Sequence, residues 1–171
     1  SFTESNLTAE ELGYRWTLDS MVEVYEELRE LSGHSNAPTT IYQGDASDLA
    51  IDDGEIDVVV LDPPYYDNVM YSEISDYFYV WMKKYLHDVY PRFFGQELTE
   101  KNDEAVANPS RFEGIAGDSQ SKNELAKDHY ENKMSNIFSE LHRVFDDSGI
   151  FTMMFTHKKT EAWYTLTSAL I

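Results

Sequence analysis

The sequence predicts an α/β protein with a mostly parallel sheet flanked by helices. Short apolar, β-branched runs alternate with stretches of helical periodicity, the pattern that βα units leave in a chain. The run IDVVVL at 56–61 is almost wholly apolar, as a strand covered on both faces is. Polar groups fall where the strands end: Gly44-Asp45, Asp62-Pro63-Pro64-Tyr65 and Thr156-His157. In a parallel sheet such ends share one rim, and ligands bind there.

Taken in order, residues 8–31 read as a helix. Thr8 and Glu11 have capping-box spacing, and Met21, Val24, Tyr25, Leu28 and Leu31 form one apolar stripe. Gly33 to Pro38 breaks it. TTIYQ at 39–43 is a strand ending at Gly44-Asp45, and 56–61 is the next. Residues 72–86 form a helix whose stripe, Ile74, Tyr77, Phe78, Trp81 and Tyr85, reads as core packing. From Arg92 to Asn123 periodicity fades, which marks a long functional or disordered loop, a place for target recognition. A helix over 124–145 carries Tyr130, Met134, Ile137, Phe138 and Leu141 on one face. Asp146 to Gly149 is a turn, IFTMMF at 150–155 a strand, and a last helix starts at Lys158.

A chain of 171 residues supports one domain with a real core. No apolar run reaches the length of a membrane span and no signal peptide is visible, which fits a cytoplasmic protein. The absence of cysteine rules out disulfides and thiolate zinc sites within these residues. Thirteen basic against thirty-two acidic residues give a net charge of −19. That balance reads as a halophilic surface, working where salt screens self-repulsion; the competing reading is a protein whose partners are not polyanions.

Asp62-Pro63-Pro64-Tyr65 carries the chemistry. Proline fixes φ, removes a donor and keeps the residue before it extended. A carboxylate then stands beside backbone carbonyls that no neighbouring amide claims. Two acceptors side by side suit an –NH2 group, and Tyr65 adds a flat face for the ring that bears it. The guest is the exocyclic amine of a nucleobase or the amide of a glutamine. An aromatic amine is a poor nucleophile because its lone pair enters the ring. Accepting both N–H hydrogens frees that pair, and the carboxylate stabilises the developing positive charge. A base in a duplex must leave the stack to reach the pocket, where the aromatic platform replaces stacking worth about 1–3 kcal/mol.

DPPY after an apolar strand resembles the catalytic motif of S-adenosylmethionine-dependent amino-methyltransferases that make N6-methyladenine in DNA. The longer string DPPYYDNVMYSEISDYFYVW, with EAVANPSRF and MMFTHKKTEAW, resembles more narrowly the large prokaryotic adenine-specific DNA methylases that carry a zinc ribbon. The likeness runs from about Gly44 to Ile171. It implies a partial Rossmann-like class I methyltransferase fold, S-adenosylmethionine as cofactor and DNA as partner. By that likeness Asp62 and the Pro63 carbonyl accept from the target amine, Pro64 stiffens the turn and Tyr65 stacks on the flipped base. Gly44 and Asp45 meet the cofactor's adenine. Tyr66, Asp67, Asn68 and Tyr71 shape the pocket. Read from the residues themselves and not from the likeness, His157 and Lys158, with Lys159, follow a strand end, where the lysine pair meets substrate phosphates or opens a solvated helix, and Arg111 in the long loop helps position a polynucleotide.

The family's glycine-rich turn, which lets backbone approach the cofactor, is missing, since no Gly-x-Gly occurs. The family's first strands and zinc ribbon lie upstream of the matched region, so the chain reads as a piece of a longer polypeptide whose other parts complete the site. In the family's sheet the first two strands separate the Gly44-Asp45 strand from the Asp62 strand. Here the two either pair directly or leave a gap that a second copy fills, as a homodimer. Weak cofactor binding and no methyl transfer are expected of these residues alone. RNA or protein-glutamine methylation, and a catalytically silent binding module on the same fold, are the alternatives.

Overall fold

The computed structural model describes residues 13–31, 33, 38–40, 42–115, 117 and 120–171. It divides into two compact units, Ser1–Tyr42 and Gln43–Ile171. In the first, helix α1 spans Tyr14–Leu31 and has no buried residue. Gly33, at φ 56°, follows it and donates its N–H to the Glu30 carbonyl, as a glycine past a helix end does. The Thr8–Glu11 capping box lies outside the described residues.

The second unit is mixed α/β. Strand β1 spans Ile56–Leu61 and helix α2 Tyr71–Leu86. Helix α3 spans Lys122–Val144, strand β2 Phe145–Met153 and helix α4 Thr160–Leu170. β1 and β2 form a two-stranded parallel sheet. Their register places Val59 opposite Phe151 and Leu61 opposite Met153. Leu61, Phe151 and Met153, with Phe155, pack against the cluster formed by Ala126, Tyr130, Met134 and Phe138 of α3 and Ala162, Leu166 and Ala169 of α4. α3 starts from a full capping box: the Ser121 hydroxyl accepts from the Glu124 N–H, and the Glu124 carboxylate accepts from the Ser121 N–H.

Several expectations need correction. No strand forms at 39, 40, 42 or 43, and residue 41 lies outside the described residues. β1 therefore pairs with β2 and not with that segment. β1 is not covered on both faces, since Val58 and Val60 are 59% and 68% exposed. Among the described residues of this unit, α3 and α4 pack against the inward face, and the outward valines of the nearly all-apolar run stay bare. β2 begins at Phe145 and ends at Met153 rather than running 150–155. The expected Asp146–Gly149 turn lies inside it, because the register jumps from Ile56↔Phe145 to Val58↔Ile150 and the intervening residues bulge out. Asp146 Oδ1 closes the bulge, accepting from the Ser148 N–H at 2.8 Å and the Ser148 hydroxyl at 2.5 Å.

The aromatic stripe of α2 is not core: α2 has no buried residue. The helix is held by its other face. Ser72 donates N–H and hydroxyl to Glu104, and Thr99 and Lys101 hold Asp76. The segment after it packs closely, with Ala105, Val106, Ala107 and Asn108 buried.

Below the sheet, Glu140 accepts from the Leu49 N–H at 2.8 Å and pairs with Arg143 at 2.6 Å. The Arg143 guanidinium first, and the Leu49 N–H second, hold the Glu140 carboxyl at about 2 instead of the ordinary 4.5. A depressed carboxylate favours the fold above its unfolded pKa and loses that contribution as pH falls through the folded value. The tie to Leu49 is therefore expected to persist below pH 4 and to fail toward pH 2. Exchange of the Leu49 amide, followed by NMR against pH, measures it, and Glu140→Gln should abolish that pH dependence.

Candidate amino-group site at the sheet's carboxyl rim

β1 and β2 run parallel, so both carboxyl ends emerge at one rim; the last bond there runs from the Met154 N–H to the Leu61 carbonyl. Asp62 leaves β1 exposed, Pro63 is buried, and Pro64 and Tyr65 are half-buried. The two proline carbonyls differ. Pro64 O accepts from the Tyr66 N–H at 3.0 Å and from the Tyr130 hydroxyl at 3.1 Å. No donor among the described residues claims Pro63 O. The acceptors that no donor among the described residues claims are thus Asp62 Oδ2 and the carbonyl of the buried Pro63.

Tyr65 donates its hydroxyl to Asp62 Oδ1 at 2.7 Å, which raises its pKa above the usual phenol value. Its ring meets Phe155, just past β2, edge to face at 5.4 Å. Tyr66 then turns the chain at φ 56°, a left-handed conformation that a bulky residue rarely adopts. The turn closes when the Asn68 N–H donates to the Tyr65 carbonyl. Packing holds Tyr66 there: it is buried, with Tyr130 edge-on at 5.1 Å and His157 at 5.8 Å. Burial, then the Glu161 and Asp67 charges, push its phenol up to about 12, so it stays neutral.

His157 ties the two strand ends together. The Lys159 N–H donates to its Nδ1 at 3.0 Å, which leaves the ring proton on Nε2. Nε2 lies 3.0 Å from Asp67 Oδ1 but off the hydrogen-bonding direction, so the approach is an ion-pair distance without a formed bond. Lys159 pairs with the other Asp67 oxygen. Trp163 donates its indole N–H to the His157 carbonyl at 3.0 Å and packs edge-on against Phe155. A cleft of about 410 Å³ borders Tyr66 and Asp67, walled in part by Pro109, Lys127, Lys159 and Glu161.

The fold thus brings together Asp62, Pro63, Pro64, Tyr65, Tyr66, Asp67 and His157. Asn68 closes the turn, Tyr71 starts α2 with its ring 47% exposed, and Lys158 is exposed. Gly44 and Asp45 do not join them: no strand carries them to the rim, and Asp45 Oδ1 accepts locally from Ser47. Within the chain itself, a Cβ on Gly44 would meet nothing within 4 Å. Arg111 turns inward, toward Asn102, Glu104 and His129.

Tyr130 is the site residue that sequence reasoning placed only in the core. It is fully buried, and burial raises its phenol's pKa. Its stripe position was legible; the bond to a carbonyl sixty-six residues away was not. Tyr130→Phe should leave Pro64 O with one donor and cost about 0.5–1.5 kcal/mol in urea unfolding.

Among the described residues no helix is long and apolar enough to cross a membrane, and no cluster of His, Asp or Glu could hold a metal ion. Compared with protein-family models, curated proteins and solved structures, the chain has no match.

Proposed function

We propose that this chain supplies the amino-group clamp of an S-adenosylmethionine-dependent methyltransferase, on a partial Rossmann-like domain, acting on the N6 amine of adenine in DNA. The observation that carries this reading is the open acceptor pair, Asp62 carboxylate and Pro63 carbonyl, beside the Tyr65 ring at the sheet's carboxyl rim. The methyl donor and the DNA substrate rest on the resemblance of the DPPY string to that family.

In this reading Asp62 and Pro63 each accept one hydrogen of the amine and free its lone pair for attack. Positive charge then grows on nitrogen next to the carboxylate. The Tyr65 hydroxyl already occupies Asp62 Oδ1, so the guest takes Oδ2 or displaces it. The ring of Tyr65, braced by Phe155, offers the stacking face. The family's glycine-rich turn for the methyl donor is lacking in this sequence. That same lack favours a second reading, a silent module that binds an amine without transferring to it.

Methyl transfer to adenine-containing duplex, single-stranded DNA, RNA and glutamine peptides is the test, run with the longest natural polypeptide that contains this chain. Methylation of N6 in DNA supports the reading; methylation of another acceptor, or none, overturns it. Titration of the 171-residue chain with S-adenosylmethionine should show binding weaker than micromolar, and tight binding would contradict the need for the missing turn.

A further inference from the structure

α2 presents an apolar stripe that nothing among the described residues covers. Ile74, Tyr77, Phe78, Trp81, Met82 and Tyr85 recur at three- and four-residue spacing and are each between 48% and 76% exposed. The opposite face is fixed by Glu104, Thr99 and Lys101, so the helix is held with this stripe outward. Half-exposed side chains of this size offer about 100 Å² each, or roughly 600 Å² in one patch. That lies close to the ~800 Å² per partner of a standard interface and is large for a surface left in water.

We propose that this stripe is where two copies of the chain associate, with their α2 helices antiparallel about a two-fold axis near Phe78. Charge selects both the occupant and the direction. Glu73 and Lys84 are eleven positions apart, which returns them to nearly the same angle around the helix, on one edge of the stripe. A two-fold axis midway between them sets Glu73 of each copy against Lys84 of the other. A parallel pair would put each Glu73 and its copy at one height on opposite edges of the interface and would form neither Glu73–Lys84 contact. Both groups are placed for this: Glu73 Oε1 accepts from Asn108 Nδ2 at 2.7 Å, leaving its second oxygen free, and Lys84 Nζ lies 5.4 Å from the Trp81 ring centre. The −19 charge of each copy opposes the association at low salt and is screened at high salt.

Sedimentation velocity of the 171-residue chain at 0.1 and 1 M salt tests it. A dimer whose population grows with salt is expected; a monomer throughout, or species that grow beyond dimers, overturns the proposal. Phe78→Asp should give a monomer with an unchanged circular dichroism spectrum, and a persistent dimer removes α2 from the interface. The chain has no cysteine, so single ones report geometry cleanly. Phe78→Cys should cross-link on oxidation, because its two copies lie beside the axis. Tyr85→Cys should not, because its copies stand about 20 Å apart at 1.5 Å per residue. The reverse pattern excludes the antiparallel arrangement.

Discussion

On the proposed reading, Asp62→Ala should abolish methyl transfer while leaving cofactor binding unchanged, both measured in the longest natural polypeptide that contains this chain. The loss is expected to be at least the roughly 10²–10³-fold that removing one preorganised transition-state contact costs. The carboxylate is asked to accept an N–H hydrogen and to stabilise charge that grows only during transfer, so the effect belongs in kcat more than in KM. Asp62→Asn separates the two roles, since the amide keeps an acceptor and loses the charge. Its residual rate should lie between alanine and the natural residue. Activity within tenfold of the natural protein for Asp62→Ala would show that the carboxylate is not the clamp.

Gly149→Ala should be among the most destabilising single-methyl additions in the chain, by about 1–3 kcal/mol in denaturant unfolding. An added Cβ would stand 2.6 Å from Cε2 of Phe145 and 2.7 Å from the Asp57 carbonyl. The phenyl ring can turn away; the carbonyl belongs to β1 and cannot move without disturbing the pairing that aligns Leu61 with Met153. Glycine is required by close approach here, not by a left-handed φ. Since β1 leads directly into Asp62, the substitution should also weaken guest binding by loosening the rim. Stability equal to that of the natural protein would mean that the bulge adapts and that the sheet does not depend on this contact.

The two substitutions probe different levels of one arrangement. Asp62 acts at the rim itself, while Gly149 acts through the register that carries β1 to the rim. Tyr130 stands between them, joining α3 to the Pro64 carbonyl.

Legibility in the sequence followed the range of the forces involved. α3 was readable because its stripe has helical period; its start at Lys122 was missed, although Ser121 and Glu124 have the spacing of a capping box. β1 was readable as a strand, but not its coverage: a nearly all-apolar run says that both faces tolerate burial, not that both receive it. The α2 stripe misled for the same reason. Periodicity shows that Ile74, Phe78 and Trp81 share a face, and only the position of the rest of the chain says whether anything lies against it. TTIYQ has strand propensity, but its described residues 39, 40, 42 and 43 gain no ladder, and propensity alone is weak without a partner to supply hydrogen bonds.

By itself the sequence determined the local chemistry of the rim. Two prolines after Asp62 stiffen the exit from β1 whatever surrounds them, because their rings restrict φ and remove N–H donors. The acidic balance and the absence of cysteine are likewise properties of composition. The tertiary structure decided which acceptors stay open, because Tyr130 and the Tyr66 N–H claim Pro64 O and leave Pro63 O. It also decided that His157 meets Asp67 while Asp45 turns to Ser47. The bond from Tyr130 to Pro64 and the approach of His157 to Asp67 join residues far apart in the chain, and such a contact is set by where packing brings two groups, which no local pattern encodes.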